Sequence, residues 1–254
     1  MAEVVRLTVY PIKGLDGQDV EITKILPGGT LQHDREFAMY TDAGNVINGK
    51  RTADVHRIRA EYDLKAMQAT LTASTGDQLD CSLDSEVGTC ERWLRSYFDS
   101  AVSLKRDQQC GYVDRRQMGP SVISTNTIRE IASWYDTIDT DSVRQRLRAN
   151  IEVEGVPAFW EDRFLGSNAP QFRIGEIEFS GLIPCGRCVV PKRDPTTGKE
   201  DTGFQQRFVE RRAEQFPPWA DRNAFDHFYA TMIITEVPSK FRGQHLAVGD
   251  PVDW

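Results

Sequence analysis

The sequence Gly181-Leu-Ile-Pro-Cys185-Gly-Arg-Cys188-Val-Val-Pro191 places two thiols three positions apart between apolar runs, and it continues into Asp194-Pro-Thr-Thr-Gly198. Cysteine is a soft ligand for metals, and its reactive thiolate form is favoured when a cation such as Arg187 is near. We therefore expect the chemistry of the protein to lie in this stretch.

Two cysteines separated by two residues have several interpretations. A structural zinc site needs four ligands, and neither a second such cysteine pair nor a histidine pair accompanies Cys185 and Cys188. A dithiol of the thioredoxin type needs its first thiol at a helix N-terminus, and Val189-Val190-Pro191 is a poor start for a helix. Buried structural cysteines remain open, as does a thiolate that ligates a soft transition metal or a cofactor.

Composition narrows the class of protein. The formal net charge of -7 over 254 residues argues against general nucleic-acid binding, whereas a local basic cluster could still bind a small anion. No apolar run approaches the roughly 20 residues of a membrane span, and no leader-like segment precedes the first predicted strand. The five cysteines suit free thiols better than a disulfide scaffold. We expect a soluble, cytoplasmic protein.

Short alternating segments predict strands in the first part of the chain. Residues 4–10 alternate, and the strand ends at a glycine-containing turn that holds Lys13. Further strands are predicted at residues 20–26, 35–40, 55–64 and 69–73, with a hairpin turn at 41–44 and a helix at 91–98. Arg35 begins one of these strands.

The later part of the chain combines strands with possible anion-binding segments. Ser124 and Thr125 end a short apolar run before a capping box, Thr127 to Glu130, so the hydroxyls lie at a predicted helix N-terminus that suits a phosphate. Arg148 and Asn150 precede a strand at 151–155. Strands around a turn at Gly175, a strand at 231–237 and a hairpin at 246–252 are also predicted, and residues 159–168 and 204–219 are expected to be loops.

Many short strands, glycine turns and few helices favour a β-barrel-rich α+β fold over a doubly wound sheet. A change of character near residues 100–120 predicts two domains, 1–105 and 106–254.

The order and spacing of several motifs resemble the MOSC family, proteins similar to the C-terminal domain of molybdenum cofactor sulfurase that include the mitochondrial amidoxime-reducing component. The resemblance implies an N-terminal β-barrel-like domain followed by a MOSC β-barrel domain with few short helices. Gly14 and Phe37 depart from the hydroxyl residue and the tryptophan that many relatives have. The motifs are Tyr10-Pro-Ile-Lys13, Asp34-Arg35-Glu-Phe37, Arg148-Ala-Asn150, Cys185-Gly-Arg-Cys188 with Asp194-Pro-Thr-Thr-Gly198, and Val248-Gly-Asp-Pro-Val252.

The resemblance also implies a cofactor site. In this site, molybdenum is held by a pterin dithiolene and by one protein thiolate. That thiolate is Cys188, which is implied to be both the metal ligand and the catalytic residue, and Cys185 is a supporting neighbour. The residues implied to hold the pterin and its phosphate are Lys13, Arg35, Arg148 and Asn150, with Ser124 and Thr125 as additions. Pyridoxal phosphate binding is a further property implied by the family.

The activity implied by the resemblance is the molybdenum-dependent reduction of N-hydroxylated or N-oxygenated compounds such as amidoximes and hydroxylamines. Electrons would come from a separate reductase, haem or iron-sulfur protein, because the chain has no four-cysteine cluster pattern and no GxGxxG on a strand-to-helix turn. Two alternatives stay open. One is a sulfur carrier or cofactor-handling protein with a Cys188 persulfide, and the other is a dithiol redox or interaction module.

Overall fold

More residues lie in strands than in α-helices in the computed structural model, which describes residues 1–115 and 118–254. This agrees with the predicted strand-rich α+β class. The α-helices are α1 (Val87–Phe98), α2 (Thr125–Ser133), α3 (Thr140–Leu147) and α4 (Phe204–Glu214). The strands are β1 (Glu3–Val9), β2 (Gln18–Asp19), β3 (Ile22–Lys24), β4 (Phe37–Tyr40), β5 (Ile58–Asp63), β6 (Gln68–Ala73), β7 (Gln78–Ser82), β8 (Ser103–Arg106), β9 (Ser121–Ser124), β10 (Ile151–Glu154), β11 (Phe172–Ile174), β12 (Ile177–Gly186), β13 (Ala230–Glu236), β14 (His245–Ala247) and β15 (Val252–Asp253).

The main sheet is built from both ends of the chain. Its eight strands lie in the order β15-β11-β12-β13-β9-β10-β1-β2. The pair β9 and β10 is parallel, and α2 and α3 form the crossover that a parallel pair requires. An antiparallel bridge between Glu3 and Pro251 joins β1 to the segment just before β15, so the curled sheet brings its first and last strands together.

Smaller sheets complete the first half of the chain. Strands β5, β6 and β7 form an antiparallel meander, and α1 buries Cys90 and Leu94 in the apolar cluster beside it. Strand β4 pairs with β8, which lies on the far side of α1 in sequence. Among the described residues, no helix is long and apolar enough to cross a membrane.

Several sequence predictions needed correction. Residues 246–252 do not form a hairpin, because β14 pairs with β3 and β15 pairs with β11. The predicted loop 204–219 contains α4, whose Phe204 and Phe208 lie one helical turn apart on a buried face. Helix α2 begins earlier than the capping box suggested, since Ser124 is its N-cap and accepts from the Thr127 backbone N–H at 3.0 Å.

A buried ionisable cluster lies beneath the main sheet. Glu161 is fully buried, and one of its carboxyl oxygens accepts from the Thr127 hydroxyl at 3.1 Å while the other has no protein partner among the described residues. Next to it, Asp162 pairs with the fully buried Arg212. Burial, reinforced by the neighbouring Asp162, raises the pKa of Glu161 to about 8. The Glu161 carboxyl therefore keeps its proton in the folded protein at neutral pH.

This cluster predicts a pH-dependent stability. In the unfolded chain Glu161 loses its proton near its ordinary pKa, about 4.3, whereas the folded protein holds the proton up to about pH 8. Between these values unfolding releases a proton, so the free energy of unfolding falls as pH rises, by at most about 1.4 kcal/mol per pH unit. Urea unfolding from pH 5 to 8 should show that Glu161→Gln removes this contribution to the slope.

The exposed Glu176→Gln provides the control, because that side chain is 91% accessible. An unchanged slope in Glu161→Gln would contradict the assignment of the buried proton to this carboxyl.

Candidate functional site

A cleft of about 1180 Å³ contains residues from both halves of the chain. It brings together most of the residues singled out in the sequence, although they lie far apart along the chain. The predicted site residues that line it are Lys13, Arg35, Arg148, Asn150, Cys185 and Cys188.

Two arginines of the cleft lie against one aromatic ring. The guanidinium carbons of Arg35 and Arg148 are 4.6 and 4.0 Å from the ring centroid of Tyr10. Both arginines have left-handed backbone conformations, with φ of 50° and 58°, which explains why β4 begins at Phe37 rather than at Arg35. The negative face of the ring offsets part of the repulsion between the two cations. The result is a fixed pair of positive charges.

These cations have few carboxylate partners. Arg35 donates to Asp34 at 2.5 Å, whereas the described bond of the Arg148 side chain is to the Leu15 carbonyl at 2.7 Å. Burial lowers the pKa of Arg148, which stays charged at neutral pH. A partly buried guanidinium whose described hydrogen bond goes to a carbonyl can still bind an anionic ligand.

Lys13 has the turn position that the sequence predicted. Its ammonium donates to the Tyr112 carbonyl at 2.6 Å and to Asp114 at 2.5 Å, and Lys50 donates to the same carboxylate at 2.5 Å. Burial lowers the pKa of Lys13, and Asp114 opposes that change. An ammonium has three N–H bonds, so these contacts leave one for a ligand.

Asn150 lines the cleft, but its side chain also ties strands together. Its amide oxygen accepts from the backbone N–H and the hydroxyl of Ser121, at 3.2 and 3.0 Å, and its amide nitrogen donates to the Thr8 carbonyl at 3.1 Å. These bonds tie β9 and β1 to the residue just before β10, the strand that lies between them. The geometry gives Asn150 a clear positioning role.

The cysteine segment lies at the end of β12. Arg187 donates to the Cys185 sulfur at 3.1 Å and to the Leu147 carbonyl at 2.8 Å, so it connects this segment to the end of α3. The Cys188 sulfur accepts from the Val190 backbone N–H at 3.5 Å. A short 3-10 turn, Val190–Lys192, follows instead of an α-helix, as expected from Pro191.

A buried arginine fixes the backbone after the cysteines. Arg146 is 3% exposed and donates to the carbonyls of Pro191 and Arg193 at 2.8 and 3.0 Å. It also pairs with Asp201 at 2.6 Å. No local sequence signal indicates this role, because Arg146 looks like one more cation approaching a strand.

The next loop is held by the first half of the chain. The Asp194 carboxylate accepts from the backbone N–H groups of Thr196 and Thr197, at 3.1 and 2.7 Å, which closes the Asp-Pro-Thr-Thr-Gly turn. Arg59 then donates to the Pro195 carbonyl at 3.0 Å, and Arg57 donates to the Thr197 carbonyl at 3.1 Å. The position of the cysteine segment thus depends on residues from both halves.

Two predicted site residues lie elsewhere. Ser124 is fully buried as the cap of α2, and its hydroxyl contacts Thr127 and the Pro157 carbonyl. Thr125 is 4% exposed, and its hydroxyl has no described hydrogen-bond partner. Neither residue lines the cleft.

A histidine that the sequence did not single out also lines the cleft. His56 lies in a 3-10 turn, Asp54–Arg57, and was isolated in sequence from every motif. In contrast, His33 bonds to the Glu36 carboxylate at 2.7 Å. Within residues 1–115 and 118–254, no group of three or more His, Cys, Asp or Glu side chains is arranged to hold a metal ion.

Comparison with known families gives two matches that together cover nearly the whole chain. The MOSC N-terminal beta barrel domain matches residues 1–114, and the MOSC domain matches residues 116–253.

Individual relatives are distant. Mitochondrial amidoxime-reducing component 1 of Danio rerio is 22% identical over 236 residues, which covers 77% of this chain and 70% of the relative. Mitochondrial amidoxime reducing component 2 of Bos taurus is 23% identical, covering 78% of this chain and 68% of the relative. Molybdenum cofactor sulfurase of Caenorhabditis briggsae is 24% identical, but this chain spans only 30% of its length.

The shared ring of Tyr10 predicts an effect on anion binding. Tyr10→Leu removes the aromatic face that holds Arg35 and Arg148, so the dissociation constant for inorganic pyrophosphate should rise by about tenfold. Isothermal titration calorimetry would measure it. Tyr10→Phe keeps the ring and should bind nearly as well as the unmodified protein.

Tyr40→Leu is the matched control, because the Lys105 ammonium lies 4.5 Å from the ring centroid of Tyr40, outside the cleft. Equal affinities in the folded Tyr10→Leu and Tyr40→Leu proteins would show that the ring does not organise an anion site.

Proposed function

Because the chain belongs to the MOSC family, we propose that it binds molybdenum cofactor in the cleft and reduces N-hydroxylated or N-oxygenated compounds such as amidoximes and hydroxylamines. The observation that carries this proposal is the meeting of the Cys188 thiol with Lys13, Arg35 and Arg148 in one cleft. A soft metal favours a thiolate, and a phosphate favours fixed cations.

The residues present suit such a cofactor. Arg148 and Lys13 each keep donors that the described protein contacts do not use, and they would hold the phosphate with Arg35. Cys188 would ligate the metal. Arg187 donates to the neighbouring Cys185 sulfur at 3.1 Å and so holds the segment that carries Cys188. The pterin would supply the other sulfur ligands.

Some members of the predicted set take different roles in the proposal. Asn150 would act by positioning β9 and β1, since its amide is engaged by Ser121 and Thr8. Ser124 and Thr125 are left out of the contact set because they do not line the cleft. Gly14 offers no hydroxyl beside Lys13, so the phosphate would depend more on the arginines.

The proposed reaction removes one oxygen from nitrogen. An amidoxime takes up two electrons and two protons, its N–O bond breaks, and an amidine and water form. The cofactor, when bound, supplies the two-electron chemistry at the oxygen. The protein would bind and orient the substrate beside Cys188, in a cleft whose walls come from both halves of the chain. A separate reductase, haem or iron-sulfur protein would supply the electrons.

A second candidate function is cofactor or sulfur handling. It is favoured by the similarity to molybdenum cofactor sulfurases, although only 30% of the length of such a relative is matched. Cys188 would then hold a persulfide, a reversible state of a reactive thiol. Turnover and intact mass separate the two functions.

Metal content tests the ligand assignment. In a host that synthesises molybdenum cofactor, the unmodified protein should retain close to one molybdenum per chain, as expected for a single thiolate site. Cys188→Ser should lose nearly all of it, because serine is a hard ligand, whereas Cys185→Ser should keep most. Elemental analysis after gel filtration would measure this.

Cys110→Ser is the matched control, since Cys110 is a partly buried cysteine that does not line the cleft. Retention of full molybdenum by Cys188→Ser would overturn the assignment. An equal loss in both cleft variants would show that Cys185 is needed for the metal as much as Cys188 is.

Turnover tests the reaction. Loaded protein should convert benzamidoxime to benzamidine with a chemically reduced viologen as electron donor, and Cys188→Ser should lower kcat/KM by at least about a hundredfold, the scale expected for loss of a group that acts in the transition state. Loaded protein without turnover, whose intact mass carries a reducible extra sulfur on Cys188, would favour the sulfur-handling function instead.

A further inference from the structure

His56 lines the cleft and has one ring nitrogen that forms no hydrogen bond with the described residues. Its Nε2 atom is buried and has no hydrogen-bond partner among the described residues. A buried polar atom without a partner destabilises the folded protein, so it calls for an explanation such as a ligand or an ordered water.

Gly49 allows the ring of His56 to reach this position. A side-chain carbon added at Gly49 would lie 2.8 Å from Nε2 of His56 and 3.2 Å from a methyl carbon of Val190. The backbone of Gly49 therefore approaches both the imidazole and the residue two positions after Cys188. The ring lies beside the cysteine segment.

The surroundings of His56 are positive. Arg148, Arg193 and Arg59 act electrostatically on the imidazole, as does the carboxylate of Asp194, which accepts from backbone N–H groups of its own turn. Burial first, and then these arginines, lowers the pKa of His56 to about 4. The ring is therefore neutral at neutral pH, and one of its nitrogens is a hydrogen-bond acceptor. The neighbouring guanidinium groups, by contrast, can only donate.

We propose that Nε2 of His56 accepts a hydrogen bond from an N–H or O–H group of a ligand bound beside Cys188. The inference rests on the proposed function, because that function supplies the ligand. The donor belongs either to a nitrogen-rich ring of the cofactor or to the N–H and O–H groups of an N-hydroxylated substrate. In either case the His56 nitrogen binds a hydrogen-bond donor of the ligand, whereas the neighbouring arginines bind negatively charged groups.

Three variants test the proposal. His56→Phe keeps an aromatic ring but removes the acceptor, and His56→Gln keeps an acceptor oxygen. Gly49→Ala leaves His56 intact but displaces its ring, because the added carbon would otherwise lie 2.8 Å from Nε2. His245→Phe is the control, because His245 is exposed on β14.

Two measurements distinguish the sources of the donor. If it belongs to the cofactor, His56→Phe and Gly49→Ala should retain roughly 5- to 100-fold less molybdenum and pterin after dialysis, the scale of one lost buried hydrogen bond. If it belongs to the substrate, both variants should retain the cofactor and raise KM by a similar factor with little change in kcat. His56→Gln should recover much of the loss.

Nuclear magnetic resonance would observe the hydrogen bond of His56 directly. In ¹⁵N spectra of histidine-labelled protein at neutral pH, the unprotonated nitrogen of His56 should shift when the cofactor or the substrate binds. Folded His56→Phe with the cofactor retention, KM and kcat of the unmodified protein would overturn the proposal.

The failure of the proposed function has a different signature. Unmodified protein without molybdenum would remove that function, and free pterin added to metal-free protein would then be the probe of His56. A His56 nitrogen resonance that did not move at millimolar pterin would overturn the inference as well, and a shift lost in Gly49→Ala would support it.

Discussion

Two positive charges held against one tyrosine ring determine the form of the cleft. Arg35 comes from the turn before β4, and Arg148 comes from the end of α3, so the ring of Tyr10 is where the two halves of the chain meet. Both arginines adopt left-handed backbone conformations that non-glycine residues seldom take. Such conformations persist where the surrounding structure fixes them. Here the contacts with Tyr10, Asp34 and the Leu15 carbonyl do so.

Residues from both halves of the chain also meet around the cysteines. Arg57 and Arg59 of the first half hold the Asp-Pro-Thr-Thr-Gly turn, while Arg146 holds the backbone just before it. Hydrogen bonds between residues far apart in sequence thus fix the backbone that follows the cysteines. A backbone fixed in this way suits a ligand that must present one reactive atom at a defined place.

The sequence predicted the parts of the molecule that local patterns determine. Alternating residues indicated β1, β6 and β13, and the motifs around Lys13, Arg35, Arg148 and Cys188 lie in one cleft. Strand pairing was harder, because β14 and β15 are close in sequence yet bond to different partners. Ser124 caps α2 and does not line the cleft, and the sequence could not indicate this because a hydroxyl at a helix start has the same signature whether it caps the helix or faces a ligand. His56 carried no local signal, since the position of its unused nitrogen depends on Gly49, whose backbone also approaches Val190.

The bridge between Glu3 and Pro251 has a consequence for the order of events in the cell. Strand β1 emerges from the ribosome well before its partners in β10 and in the segment that precedes β15. Contacts between distant residues form slowly, because the chain between them must first be ordered. Until Pro251 has been synthesised, β1 lacks the last of these neighbours, and the Tyr10 turn that follows it lacks a finished sheet. The cleft can therefore reach its finished form only after the residues up to Pro251 have been synthesised.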